Sequence, residues 1–308
     1  MKIDYFCFSI PSLYQNDYIL NKKDDENDIW IKNKEKELMD SARENNMLIV
    51  FDRTTKKFYM NNKEFDVKGK VIFPRSFILY EEELLKKLEE NGAISIQTMK
   101  DIENIENWPQ KIQPIYRKVI ETTYKDFKLN NEYYKSLFKN IFFKTAKKTN
   151  THCTLKSFGF IDICGEKIFF TKPTLWDVSS DDNIFLSETF ESIIDIENDM
   201  DCKEYRAFVI NNNLLSISRS YIDYPTEIPN EVKTFIKEQI EKTSSINDFP
   251  NSYVLDVGQM IIDNKEVIDI IEYNQITSSG LEVCNLLVDN LINYNKSKRK
   301  EKILIKKN

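Results

Sequence analysis

Glu272 and Asn274 stand two apart in Ile271-Glu272-Tyr273-Asn274-Gln275. On a strand, residues two apart project from one face. A carboxylate and an amide oxygen there are hard ligands of the kind Mg²⁺ takes. Asp256, in Val254-Leu255-Asp256-Val257-Gly258, adds a third oxygen if the two segments are neighbouring strands of a hairpin. Ser279-Gly280 then opens a helix, where backbone N–H groups meet phosphate oxygens. Glu204 and Arg206 share a face of an earlier strand, and Arg206 offers bidentate contacts to a γ-phosphate or an acyl-phosphate. Lys144, in the otherwise apolar Ile141-Phe142-Phe143-Lys144-Thr145, sets one cation against an α- or β-phosphate. Taken singly, each has a plainer reading: a solvent-facing lysine, a Glu204–Arg206 ion-pair face, a chance triplet, a serine cap. Together, in this order and strand context, they weigh against coincidence.

The elements that must position these residues can be read from hydrophobic period and turn signals. The first hundred residues alternate strand and helix: a strand over 1–10, a helix over 28–45 capped by Asp28, and a strand over 47–52. A hairpin over 57–67 and a strand over 70–75 ending near Pro74 follow. The helix over 81–91, with Leu84, Leu85 and Leu88 on one face, stops at Gly92. Such alternation favours an α/β domain with a largely parallel sheet. Trp108-Pro109 marks a boundary, because Pro109 disfavours helix at Trp108. Residues 110–139 read as one or two helices. From Asn140 the texture turns to strands, with a turn at Asn211-Asn212-Asn213. A helix over 231–242, a hairpin over 253–276 and a closing helix over 281–294 complete the chain.

Composition narrows the classes. The chain has 308 residues, 41% of them hydrophobic, with a formal net charge of −6, which suits about two domains with a real core. An acidic chain with basic density only in residues 296–308 is a poor nonspecific nucleic-acid binder. The five cysteines are scattered and show no C-x-x-C spacing, as expected of reduced thiols in a cytosol. His152 is the only histidine, so a multi-histidine metal site is excluded, and its neighbour Cys153 points to the opposite face of an extended chain. No run of about 18 apolar residues predicts a membrane span. The N-terminus lacks a signal-peptide pattern, so the expected location is cytoplasmic.

Two stretches, EYRAFVINNNLLSISR and VLDVG…IIEYNQITSSGL, resemble the nucleotide-binding core of the ATP-grasp superfamily over roughly 141–294. The layout is similar to a divergent clade of small bacterial and phage ATP-grasp proteins. It is also similar to the eukaryotic cell-division-cycle assembly factors that carry an E-x-R-x-F-V strand. The resemblance implies an ATP-grasp fold, α/β overall and α+β in the C-terminal part. Residues 1–108 would be an N-terminal α/β pre-ATP-grasp domain, 109–295 the two-lobed nucleotide-binding domain and 296–308 a basic tail. ATP and Mg²⁺ are the implied cofactors. Lys144 matches the phosphate-contacting lysine, and Arg206 the phosphate-facing arginine. Phe185–Phe190, including Ser187, Glu188, Thr189 and Phe190, matches the hinge whose backbone reads adenine. Asp256, Glu272 and Asn274 match the metal ligands, and Ser279-Gly280 the phosphate-contacting helix start.

There are departures. The lid stretch 148–155 has no glycine, where the family is usually glycine-rich. The second basic residue entering from the preceding helices is either Arg117 or Lys118. Arg75 and Arg219 read either as surface arginines or as contacts to a substrate carboxylate, and Asp195, Glu197, Asp199 and Asp201 either as a solvated acidic loop or as contacts to a cationic substrate. The expected activity is an ATP·Mg²⁺-dependent carboxylate–amine (or thiol) ligase working through an acyl-phosphate. Its catalytic residues would be Lys144 and Arg206, and its unknown substrate a carboxylate-bearing small molecule or peptide. The alternatives are an ATP-binding assembly factor without ligase turnover and, less favoured, a kinase on the same fold.

Overall fold

The computed structural model describes residues 3–10, 36–76, 81–96, 113–116, 118–138, 140–145, 159–162, 168–170, 181, 183–188, 204–219, 227–262, 265–277, 290 and 292–294. The strand β1 (Tyr5–Ile10), YFCFSI, is apolar on both faces, as a strand covered on both sides must be. It lies between two parallel neighbours, β2 (Leu48–Asp52) and β5 (Val71–Arg75). β3 (Lys57–Met60), β4 (Lys63–Glu64) and β6 (Ile94–Ser95) complete a six-stranded sheet of order β4-β3-β2-β1-β5-β6. Asn61 and Asn62, at φ 51° and 61°, make the tight turn between β3 and β4.

Alternation sends Phe6, Phe8 and Phe73 to one side of this sheet and Cys7, Ile49, Phe51 and Ile72 to the other. The second side is covered by α2 (Glu81–Glu90) through Leu84 and Leu88. That helix stops where expected. Gly92 takes φ +69°, and its N–H and that of Ala93 return to the carbonyls of Glu89 and Leu88 at 2.8 and 2.9 Å. The first side is covered by α1 (residues 36–44), through Leu38 and Ala42, and by four apolar residues from the last third of the chain, Phe208, Ile210, Val254 and Ile276.

The first three belong to, and Ile276 closely follows, a four-stranded sheet of order β13-β12-β14-β15, made of β12 (Glu204–Ile210), β13 (Asn213–Arg219), β14 (Tyr253–Ile262) and β15 (Lys265–Asn274). Asn211 and Asn212, at φ 52° and 57°, form the expected turn between β12 and β13. On the far face of this sheet Phe249, Tyr253 and Tyr273 meet edge to face at 5.1–5.4 Å. There α5 (Asn230–Ser244) ties in through Thr243, whose hydroxyl lies 2.6 Å from that of Tyr253.

A third sheet has five antiparallel strands in the order β10-β9-β8-β11-β7. They are β7 (Val119–Thr123), β8 (Asn140–Thr145), β9 (Gly159–Asp162), β10 (Ile168–Phe170) and β11 (Asn183–Glu188). α3 (Tyr124–Leu129) and α4 (Asn131–Leu137) pack Phe127 and Tyr134 on Ile184 and Leu186. Asp126 accepts from Thr122 at 3.0 Å, from Asn130 at 2.8 Å and from the Tyr134 hydroxyl. These bonds, that of Tyr134 foremost, hold its pKa below the usual carboxylate value. One expectation is corrected here. Residues 119–123 are a strand and not part of a helix, because Val119, Ile120, Thr122 and Thr123 are β-branched and fit a pleated surface better than a helical turn.

Contacts divide the chain into two compact units. One comprises Met1–Lys100, Tyr205–Leu255 and Tyr273–Asn308, and the other Asp101–Glu204 and Asp256–Glu272. The boundary expected near Trp108 and the tail 296–308 lie outside the described residues, as does most of the helix expected over 281–294, of which 290 and 292–294 are helical.

Candidate functional site

The site is best built from the four-stranded sheet. The Tyr253 and Tyr273 rings touch, 5.3 Å between centroids, so both occupy the same face. Strand alternation then assigns Val254 and Asp256 on β14, and Glu272 and Asn274 on β15, to the other face. β12 joins that face through its apolar residues, since Phe208 and Ile210 share a cluster with Val254. Arg206, two residues before Phe208, therefore lies on it too. The only register shift between β12 and β13 comes after Phe208, leaving this alternation intact.

The strands also share a gradient. The Asn211 N–H donates to Ser252 Oγ at 3.0 Å and the Asn212 N–H to the Asn251 carbonyl at 2.7 Å, so β12 ends where β14 begins. Moving away from that end, β12 changes from Ile210 and Phe208 to Arg206, and β14 from Val254 to Asp256. β15, returning antiparallel after a two-residue connection, presents Asn274 and then Glu272. One face is thus apolar at one end and charged at the other. Relative exposure is 9% for Arg206, 0% for Asp256, 7% for Glu272 and 3% for Asn274. Burying carboxylates and a guanidinium is costly unless they are paired or bind an ion, and this end gathers both signs of charge beside an amide. On the opposite face, burial pushes the Tyr253 and Tyr273 phenols well up, so these two side chains stay uncharged.

Two buried carboxylates and one buried amide are oxygen donors of the kind Mg²⁺ takes, and in that respect the residues fit the ion. Among the described residues no group of three or more His, Cys, Asp and Glu side chains forms a metal cluster, so any site here relies on Asn274 as its third protein donor.

Lys144 belongs to β8, the centre of the five-stranded sheet. In register it stands beside Phe185 of β11, itself paired with Glu121 of β7. Ser187 is buried on β11, and Glu188 ends that strand. The side chains of Lys144 and Glu188, and all of Thr189, Phe190, Ser279, Gly280 and Arg117, lie outside the described residues, as do the lid stretch and the acidic stretch 195–201. Lys118 is exposed, its ammonium 5.7 Å from the centre of the Phe138 ring. Arg219 pairs in register with Tyr205 on the edge strand β13, and Arg75 is buried and donates to the Ile276 carbonyl.

Sequence reasoning missed Asp269. Its carboxylate, fully buried on β15, accepts from the backbone N–H groups of Ile115, Tyr116 and Ile270 at 2.9, 2.8 and 2.8 Å. It anchors the segment that leads into β7. The only signal available was an acid inside the apolar run Val267-Ile268-Asp269-Ile270-Ile271.

No protein-family model matches the chain, and no curated protein matches it in sequence. Solved structures do. The D-cycloserine synthetase DcsG aligns over 96% of this chain and 99% of its own, with a TM-score of 0.55 and 10% identity. A D-alanine–D-alanine ligase from Helicobacter pylori aligns over 95% of this chain and 97% of its own, at TM-score 0.52 and 12% identity. The chain has the ATP-grasp fold. A further D-alanine–D-alanine ligase, from Coxiella burnetii, aligns over 99% of this chain and 100% of its own, at TM-score 0.50 and 10% identity. Each of these alignments spans nearly the whole chain. No helix among the described residues is long and apolar enough to cross a membrane.

Proposed function

We propose that this protein is an ATP-dependent ligase that joins a carboxylate to an amine or thiol. The observation that carries the reading is the charged end of the four-stranded sheet, where Arg206, Asp256, Glu272 and Asn274 share one face in a chain of ATP-grasp fold. In this reading a carboxylate oxygen of the acid attacks the γ-phosphorus of ATP, and the bond to the β-phosphate oxygen breaks to release ADP. The nitrogen or sulfur of the second substrate then attacks the acyl carbon. It loses its proton, and inorganic phosphate leaves.

Asp256, Glu272 and Asn274 are the residues that would hold Mg²⁺, which when bound neutralises phosphate charge. Arg206 meets the charge on the transferring phosphoryl group by bidentate contact, and its burial strengthens that contact by excluding water. Lys144 supplies a second cation toward the α- or β-phosphate, Ser187 to Phe190 hold adenine through their backbone, and Ser279-Gly280 meet phosphate oxygens. No covalent protein nucleophile is needed. The protein works in the cytoplasm in this reading.

The test is thermal unfolding with and without ATP and Mg²⁺, in the parent and in Glu272→Ala and Lys144→Ala, followed by a screen for ADP release with pairs of acids and amines. A ligand that binds only the folded chain stabilises it by about 2.7 kcal/mol at a hundredfold excess over its dissociation constant. A Mg²⁺-dependent rise, lost in both folded variants, supports the site. No rise at millimolar ATP ends this reading. ATP binding without ADP release from any acid–amine or acid–thiol pair would favour a non-catalytic ATP-binding factor.

A further inference from the structure

Arg75 is the last residue of β5 and is only 4% exposed. β5 lies beside β1, where the order β2-β1-β5-β6 reverses direction along the chain. In open parallel sheets, ligands lie at the carboxyl ends of the strands at such a reversal. The guanidinium of Arg75 does not simply face outward there. Its Nη1 donates to the carbonyl of Ile276 at 2.5 Å, a residue 201 positions later. The next residue repeats the link, the Ser76 N–H donating to the Thr277 carbonyl at 3.2 Å.

These carbonyls need such donors. β15 ends at Asn274, so Ile276 and Thr277 lie beyond its ladder, yet both are fully buried. A buried carbonyl without a donor is costly, and a charged donor makes a bond about twice as strong as a neutral one. The chain segment immediately after Asn274 is therefore held by the carboxyl end of β5. Asn274 itself is buried and tolerates little displacement if its amide oxygen is to coordinate an ion of strict geometry.

We propose that Arg75 is a positioning residue for the metal-binding end of β15. By gripping Ile276 it fixes Asn274, so that Mg²⁺ affinity depends on an arginine that touches neither the ion nor ATP. The proposal rests on the ligase reading for its metal ligands, and it predicts a measurement of its own. Residues that orient metal ligands typically change metal affinity by about 10–100-fold when removed.

ATP binding is measured by titration calorimetry at a series of Mg²⁺ concentrations and in excess chelator, for the parent, Arg75→Met and Arg75→Lys, with folding checked by thermal unfolding. The expected result is about a tenfold or greater rise in the Mg²⁺ needed for half-maximal ATP affinity in Arg75→Met and a smaller rise in Arg75→Lys. Affinity for ATP in chelator should be unchanged. A packing role alone would lower the unfolding temperature and leave the Mg²⁺ requirement where it was, and that result in folded Arg75→Met overturns the proposal. If Arg75→Met does not fold, Arg75→Lys decides by the same criterion. Failure of the parent to bind ATP with Mg²⁺ is a different outcome, and it removes the ligase reading first.

Discussion

The carboxylate of Asp269 shows how one side chain can organise a distant segment. It accepts three backbone N–H bonds, two of them from Ile115 and Tyr116, whose side chains are exposed. Replacing it with alanine removes those acceptors, while the N–H groups of 115 and 116, in exposed residues, can turn to water. Asp269→Ala should therefore cost about 2 kcal/mol in urea unfolding. Asp269→Asn should recover only part, because an amide retains one accepting oxygen. A loss below about 0.5 kcal/mol for the alanine variant would show that the anchor is dispensable. The acid in its apolar run was the only local hint of this residue, since two of its partners lie 153 and 154 positions away. Glu272 and Asn274 were legible for the opposite reason: their relation needs only the two-residue period of a strand. Asp256 is intermediate. Its type was suggestive, but its face depends on hairpin register, settled only by the meeting of Tyr253 and Tyr273.

Among the elements, those with strong local punctuation matched expectation. α2 has its leucines on one face and Gly92 at its end, and the β12–β13 hairpin has its asparagines. The strand β7 was not legible, because its β-branched run sits directly against the helical stretch that follows, and helix period dominated the reading of 110–139. The hairpin makes a sharp prediction. Asn212 adopts φ 57°, where a β-branched side chain clashes, and its N–H is used by the Asn251 carbonyl at 2.7 Å. Asn212→Val should cost about 1–2 kcal/mol in chemical denaturation, whereas Asn212→Gly should be neutral or slightly stabilising. Equal losses in both would mean that the asparagine side chain, not the backbone conformation, holds the turn.

For the whole molecule, the instructive fact is how one core is shared. Phe6, Phe8 and Phe73 of the parallel sheet form a single cluster with Phe208, Ile210, Val254 and Ile276. Residues 1–108 therefore look like a domain in sequence but lack part of their own core. Expressed alone, that segment should unfold without a cooperative transition and bind a hydrophobic dye. The full chain should melt cooperatively and bind little dye. A fragment with a sharp transition of its own would show that α1 and α2 suffice to cover the sheet.

That shared core sets a schedule during synthesis. The parallel sheet leaves the ribosome complete up to Ile96, yet Ile276 follows only after a further stretch that takes on the order of ten seconds to translate. Through that interval the Phe6–Phe8–Phe73 side lacks part of its cover and offers a nascent-chain chaperone a defined place to hold. Slowing translation across residues 100–205 should lengthen that engagement without altering the finished protein.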